Sequence, residues 1–112
     1  MQNNYLDEVT KLLKQTHPRL AITHSLEFKN CFGAVAGYIG SNIFISCGKF
    51  GLALRLPPET LDHLFQKRDV KHLKYFPKGH VKKEYAVLPR RILKNKNMLK
   101  KLIDKSIQFV ER

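Results

Sequence analysis

AVAGYI-GS-NIFISC-GK-FGLALRL, residues 34–56, is the stretch that decides the fold of this chain. It contains three short apolar runs, residues 34–39, 42–47 and 50–56, separated by the pairs Gly40-Ser41 and Gly48-Lys49. A glycine that leads a two-residue loop is typical of a type II′ hairpin, because glycine adopts the required positive φ at little cost. The stretch therefore predicts three antiparallel strands in a meander.

Helices are predicted on both sides of this meander. The first should end before His17-Pro18, because the residue that precedes a proline is displaced from the α region. Its apolar stripe comprises Leu6, Val9, Leu12 and Leu13. The pair Pro57-Pro58 favours the start of a second helix. The buried stripe of that helix comprises Leu61, Leu64 and Phe65.

The C-terminal half predicts two more strands and a last helical region. The strands are expected over residues 72–76 and 81–88, around a turn at Pro77-Lys78-Gly79-His80. A final helix or helix pair should then reach about Val110, with a break near Asn95-Lys96-Asn97. The predicted order is α-βββ-α-ββ-α, an α+β fold with helices packed on an antiparallel sheet, in one domain over residues 1–112. Leu26 and Phe28 could add an earlier extended segment.

The positive charge of the chain is concentrated in one segment. The chain has 21 Lys/Arg and 9 Asp/Glu, a formal net charge of +12. Residues 67–105 contain fourteen Lys/Arg and three acids, so this segment alone carries +11, whereas residues 1–66 carry +1. Such a one-sided field favours an anionic partner through long-range attraction and counterion release.

The remaining composition predicts a cytoplasmic protein with no membrane partner. No apolar run approaches the roughly 18 residues of a transmembrane helix, and Met1-Gln2-Asn3-Asn4 lacks the basic and apolar regions of a signal peptide. Cys31 and Cys47 are the two cysteines, and their spacing fits no metal motif, so reduced thiols are expected in place of a disulfide.

Five short segments occur in an order that is characteristic of one family. They are Cys31-Phe32-Gly33 with Gly37-Tyr38, then Gly40-Ser41-Asn42-Ile43-Phe44, Gly51-Leu52-Ala53-Leu54-Arg55-Leu56-Pro57, Phe76-Pro77-Lys78-Gly79 and Glu84-Tyr85-Ala86-Val87-Leu88-Pro89. In this order they resemble the TfoX (Sxy) N-terminal domain family, over about residues 6–110. Cys31 stands where the family usually has methionine, and Ala34 stands where a second glycine is common.

This resemblance implies an antiparallel α/β fold and a role in regulation. Named members of the family regulate natural competence in bacteria, together with the cyclic-AMP receptor protein, and they carry a second, C-terminal domain beyond the part that this chain resembles. The family supplies no catalytic or cofactor residues. The resemblance therefore implies a non-enzymatic, cytoplasmic regulatory or adaptor domain that needs no cofactor.

Eight basic residues form the candidate binding site for nucleic acid or for an acidic protein partner. They are Lys71, Lys74, Lys78, Lys82, Lys83, Arg90, Arg91 and Lys94. They could share one cationic face, and the nearby Tyr75, Phe76 and Tyr85 could stack on unpaired bases if exposed. The competing interpretation is solvated charge, because lysine commonly protects edge strands and alternate strand residues point to opposite faces.

No catalytic or metal site is predicted. The five histidines lack ligand spacing such as H-x-x-x-H, and neither cysteine joins them in a metal motif. The glycines between residues 33 and 51 fit hairpins and close packing rather than a phosphate loop, since no G-K-[ST] follows. Cys47 alternates with Ile43 and Ile45 on one strand face and is expected to be buried, whereas Cys31 could be more exposed.

The residues leave two functions open. In the first, the basic face binds nucleic acid, the transcription machinery or an acidic protein. In the second, the chain is a protein–protein module, such as a homodimer that pairs exposed strand edges, and its charge maintains solubility. Ionic strength separates them, because nucleic-acid binding weakens steeply with salt and an apolar dimer persists. An enzyme with a cysteine nucleophile would require Cys31 to react quickly near neutral pH.

Overall fold

The computed structural model describes residues 4–111, so residues 1–3, which belong to the segment without signal-peptide features, lie outside the described part, as does residue 112. The helices are α1 (Tyr5–Thr16), α2 (Leu20–Thr23), α3 (Pro58–Phe65), α4 (Arg90–Leu93) and α5 (Lys96–Glu111). The strands are β1 (Leu26–Cys31), β2 (Ala34–Ile39), β3 (Asn42–Gly48), β4 (Gly51–Arg55), β5 (Lys71–Leu73) and β6 (Lys82–Val87). None of the described helices combines the length and apolarity needed to cross a bilayer.

The strands form one six-stranded antiparallel sheet in the order β1-β2-β3-β4-β6-β5. This confirms the predicted α+β fold with helices packed on an antiparallel sheet. The extended segment at Leu26 and Phe28 is a full edge strand, paired with β2 from Leu26 opposite Ile39 to Cys31 opposite Ala34. The meander therefore has four strands, and the short helix α2 precedes it.

The two predicted glycine-led hairpins differ in the structure. Gly40 has a φ of +62° and Ser41 has no positive φ, as a type II′ turn between β2 and β3 requires. The second prediction was wrong by one residue. Gly48 pairs with Gly51 inside the ladder, so the loop consists of Lys49 and Phe50. The positive φ, +110°, belongs to Gly51, which follows that loop.

One face of the sheet is covered by α1, α3, α4 and α5 and holds the main core. The pairing of β2 with β3 skips Phe44, which is therefore the extra residue of a β-bulge. The bulge lets the consecutive residues Phe44 and Ile45 both belong to this core, each with no exposed surface. Ser106 of α5, also fully buried, donates a 2.8 Å hydrogen bond to the Phe44 carbonyl oxygen. The bulge and α5 are thus fitted to each other.

The predictions for the first and last helical regions are confirmed with one adjustment. In α1, Val9 and Leu13 are buried, but Leu6, in the first turn, is 47% exposed and does not belong to the buried stripe. The last helical region is a pair, with the break at Asn95. The Asn95 side chain accepts a 3.1 Å hydrogen bond from the Met98 N–H, so it caps the start of α5.

The β5–β6 region departs most from its prediction. A strand was expected over residues 72–76, but β5 ends at Leu73, and Tyr75 and Phe76 lie in the loop that follows. The pairing of β5 with β6 is irregular between His72 and Leu73. Beyond that irregularity the chain leaves the sheet edge, and the Tyr75 side chain contacts the central strand β3.

Candidate functional site

The loop of residues 74–81, between β5 and β6, packs on the sheet face opposite the helices. The Tyr75 hydroxyl lies 3.1 Å from the hydroxyl of Ser46, which is fully buried in β3. A small second core of Ala53, Leu73 and Val87 lies on this face, with Phe50 and Tyr75 packed against it. Small residues in the central strands therefore leave room for aromatic rings to lie on the sheet.

Four rings form a connected surface there, which we call the aromatic patch: Phe32, Phe50, Tyr75 and Phe76. Tyr75 lies at its centre, with ring centroids 5.4 Å from Phe32 and 5.6 Å from Phe50. Phe32 also contacts Phe76 edge-to-face at 5.4 Å. Phe32 is 65% exposed and Phe76 is 53% exposed. The patch thus has a half-buried pair of rings that anchors it, Phe50 and Tyr75, and an outer pair that faces solvent.

The backbone holds Phe32 in an unfavourable conformation. Phe32 and Gly33 are the two central residues of the β1–β2 hairpin, closed by the pair of Cys31 and Ala34. Both have positive φ, +51° and +80°, which defines a type I′ turn. Asparagine or glycine is usual at the first of these positions, and a bulky residue there costs about 1 kcal/mol or more. Strain of this kind, combined with an exposed ring, is typical of a functional position.

A cavity of about 280 Å³ opens between the patch and the N-terminal turn of α1, lined by Tyr5, Phe32, Phe50 and Tyr75 among others. This volume lies just below the range of small-molecule sites, about 300–1,000 Å³. Lys49 also lines it. Gly48 keeps it in shape, because a Cβ atom on Gly48 would lie 2.8 Å from the Phe50 ring.

All eight predicted basic residues are exposed. The strand register divides them into two groups. Lys71 lies opposite Val87, the last residue of β6, and the α4 region follows it; this end holds Lys71, Arg90, Arg91 and Lys94. The other group, which we call the loop cations, belongs to the loop beside the patch and to the start of β6: Lys74, Lys78, Lys82 and Lys83.

Arg91 has a structural partner that the sequence did not reveal. Its guanidinium donates two hydrogen bonds to the Asp69 carboxylate, at 2.6 and 2.9 Å. This contact lowers the pKa of Asp69 and raises that of Arg91. The ion pair fixes Arg91, in the one-turn helix α4, to the segment that precedes β5. Arg91 is therefore less available to a partner than the loop cations are.

The predicted aromatic residues behave differently from one another. Phe76 is exposed as a stacking residue must be, but Tyr75 and Tyr85 are half-buried. Burial raises the pKa of Tyr85 to about 12, and burial also raises the pKa of Tyr75, partly offset by its hydrogen bond with Ser46. Phe32 and Lys49 were missed, since both lie outside the basic segment. A bulky residue before Gly33 in a short interstrand turn was the one signal for Phe32.

The cysteines and histidines supply structural contacts. Both cysteines are free thiols; Cys31 is half-buried and Cys47 is buried, as predicted. His17 contacts Asp104 at 2.6 Å and joins the end of α1 to α5, while His72 stacks on Phe65 at 4.1 Å. Within residues 4–111, no group of three or more His, Cys, Asp or Glu side chains is placed to hold a metal ion.

Raising the pH from 9 toward 12 is expected to destabilise the protein in part through Cys47. Burial and the hydrogen bond to the Glu8 carboxylate raise the pKa of this thiol from 9.0 to about 12. Because the unfolded chain releases this proton first, the stabilisation is complete below pH 9 and is lost as the pH approaches 12. Urea unfolding of the wild type and Cys47→Ala over this range measures the contribution. An equal pH slope in both proteins would contradict it.

The fold and the site define a class of protein: a small basic α+β domain with helices on one sheet face and an exposed aromatic patch on the other. The family model described as the TfoX N-terminal domain matches residues 19–110. The chain belongs to the TfoX N-terminal domain family, and the resemblance of its ordered segments is confirmed. No curated protein matches the chain.

Proposed function

We propose that this protein is a non-catalytic regulatory domain that binds single-stranded nucleic acid. Membership in the TfoX N-terminal domain family supports the regulatory class. The outer pair of the aromatic patch, Phe32 and Phe76, carries the specific proposal. Two exposed rings in contact, one of them held by a strained turn, form a surface on which an unpaired base stacks.

The charges around the patch support the same conclusion. Lys74 precedes Tyr75 directly, and Lys78 lies in the tight turn that Gly79 closes by donating a 2.9 Å hydrogen bond to the Phe76 carbonyl. Lys49 lines the same cavity as Phe32. Rings for bases and nearby ammonium groups for phosphates are the two components of sequence-tolerant single-strand binding.

Charge reversal beside the patch tests this proposal. Fluorescence anisotropy of a labelled oligothymidylate, titrated at several salt concentrations, should show binding that weakens with a log–log slope of about −0.7 for each phosphate contact. The total slope of the variant Lys74→Glu/Lys78→Glu should be smaller in magnitude by about 1.4 than that of the wild type, since two phosphate contacts are removed. The matched control is Lys96→Glu/Lys100→Glu, which changes the net charge equally on α5, behind the opposite face of the sheet.

Three outcomes would contradict nucleic-acid binding at this site. The first is equal weakening by both double variants, which would indicate attraction by net charge alone. The second is displacement of the labelled oligothymidylate by polyglutamate as effectively as by the unlabelled oligonucleotide. This result would favour the acidic-protein alternative. The third is a dimer in sedimentation that persists at high salt and does not bind the oligonucleotide. A dimer that pairs strand edges would have to use β1, which carries the charged residues Glu27 and Lys29, or β5, which has three residues.

A further inference from the structure

A second surface lies on the helical side of the molecule, away from the aromatic patch. A groove of about 480 Å³, open to solvent, lies between helices α3, α4 and α5. Its floor is apolar: Leu64, Ile92 and Leu102 line it, each at most 9% exposed. Met98 also lines it and is 39% exposed, one of the few large apolar side chains on the surface. Methionine is common where a surface must adapt to a partner.

The rim of this groove is basic. Lys67, Arg91, Lys101 and Lys105 line it, and no acidic residue does. Arg91 is paired with Asp69. The Lys67 ammonium also lies close enough to Asp69 to contribute to the lowered pKa of that carboxyl. Lys101 and Lys105 have no ion pair with any described residue. They lie one turn apart on α5, beside Met98 and Leu102, so apolar and cationic groups share one helix face.

We infer that this groove binds an acidic amphipathic helix of a partner protein. Two apolar side chains one turn apart would enter between Leu64, Met98 and Leu102, as in helix-in-groove recognition. Asp or Glu residues that flank them would meet Lys101 and Lys105, which have no acidic neighbour in the groove to satisfy them. The charge complementarity selects an acidic helix over a basic or neutral one.

This inference goes beyond the proposed function, because the groove and the aromatic patch lie on opposite sides of the sheet. A ligand on one surface leaves the other accessible. The two surfaces together describe an adaptor that holds a nucleic-acid strand on its sheet face and a protein helix on its helical face. Each surface can fail its test independently of the other.

The probe for the groove is a synthetic peptide with leucine at helical spacing and glutamate elsewhere. Its control is a peptide of the same composition in an order that places no two leucines on one helical face. In ¹⁵N-labelled protein, the first peptide should shift the amide signals around Leu64, Met98 and Leu102, and the control should not. Shifts confined to the loop of residues 74–81, equal shifts from both peptides, or no shifts would overturn the inference.

Matched variants test the two parts of the groove separately. Lys101→Glu/Lys105→Glu should raise the peptide dissociation constant at least about tenfold, and Met98→Asp should do the same. Lys96→Glu/Lys100→Glu, with the same spacing on α5 but outside the groove, should change it less than about twofold. All these side chains are exposed, so circular dichroism should show intact folds. An equal loss in the control pair would reduce the effect to net charge and overturn the inference.

Discussion

Replacing Phe32 and Phe76 together with alanine is expected to weaken binding of oligothymidylate by about 10- to 100-fold. Base–aromatic stacking contributes about 1–3 kcal/mol per base, and these two rings are the exposed pair of the aromatic patch. The ammonium groups remain, so the salt dependence of the residual binding should stay close to that of the wild type. Anisotropy titrations at two ionic strengths measure both quantities.

Single substitutions at Phe32 separate the ring from the strained turn that holds it. Phe32→Tyr keeps the ring and should keep the affinity. Phe32→Asn removes the ring and places a residue that tolerates positive φ in the first position of the type I′ turn. This variant should therefore be at least as stable as the wild type and yet bind weakly. An Asn variant that binds as tightly as the wild type would show that Phe32 does not contact the ligand.

The sheet could be predicted where local signals determine it. Gly40-Ser41 fixes the β2–β3 hairpin by backbone geometry alone, and the prediction is correct there. The β3–β4 loop was misplaced because Gly48 and Gly51 both flank it, and the two glycines have different reasons. Gly48 gives space to the Phe50 ring, whereas Gly51 supplies the positive φ. The sequence shows that a glycine is present, but not whether it is required for space or for a positive φ.

The site was predictable only in part, because it depends on pairings between distant segments. Counting charges identified the basic segment, and the loop cations belong to it. The sequence does not give the register between β5 and β6. That register separates the loop cations from the basic residues at the α4 end of the segment. The aromatic patch joins the β1–β2 turn, the β3–β4 loop and the β5–β6 loop. Tyr75 was predicted in a strand, so its contact with Ser46 across the sheet could not be anticipated.

Substitution in the core should lower stability and leave binding unchanged, the opposite of what is expected for the aromatic patch. Phe44→Ala is expected to lower the free energy of unfolding by about 3–5 kcal/mol, the usual cost of removing a buried phenylalanine ring. Phe44 has no exposed surface and lies at the bulge where the sheet meets α5. Small domains unfold with about 5–15 kcal/mol in total, so the variant should lose a large share of its stability. The midpoint of thermal unfolding should fall by about 10–20 °C.

Phe76→Ala is the matched control for that substitution, since it removes the same ring from a site that is 53% exposed. Its stability should change by less than about 1 kcal/mol, because little buried surface is lost. The two phenylalanines thus separate stability from binding. Phe44→Ala, measured below its unfolding midpoint, should bind the oligonucleotide as the wild type does, whereas Phe76→Ala should fold normally and bind weakly. Equal destabilisation by both would mean that Phe76 and its loop belong to the core, and the outer rings would then be structural rather than a binding surface.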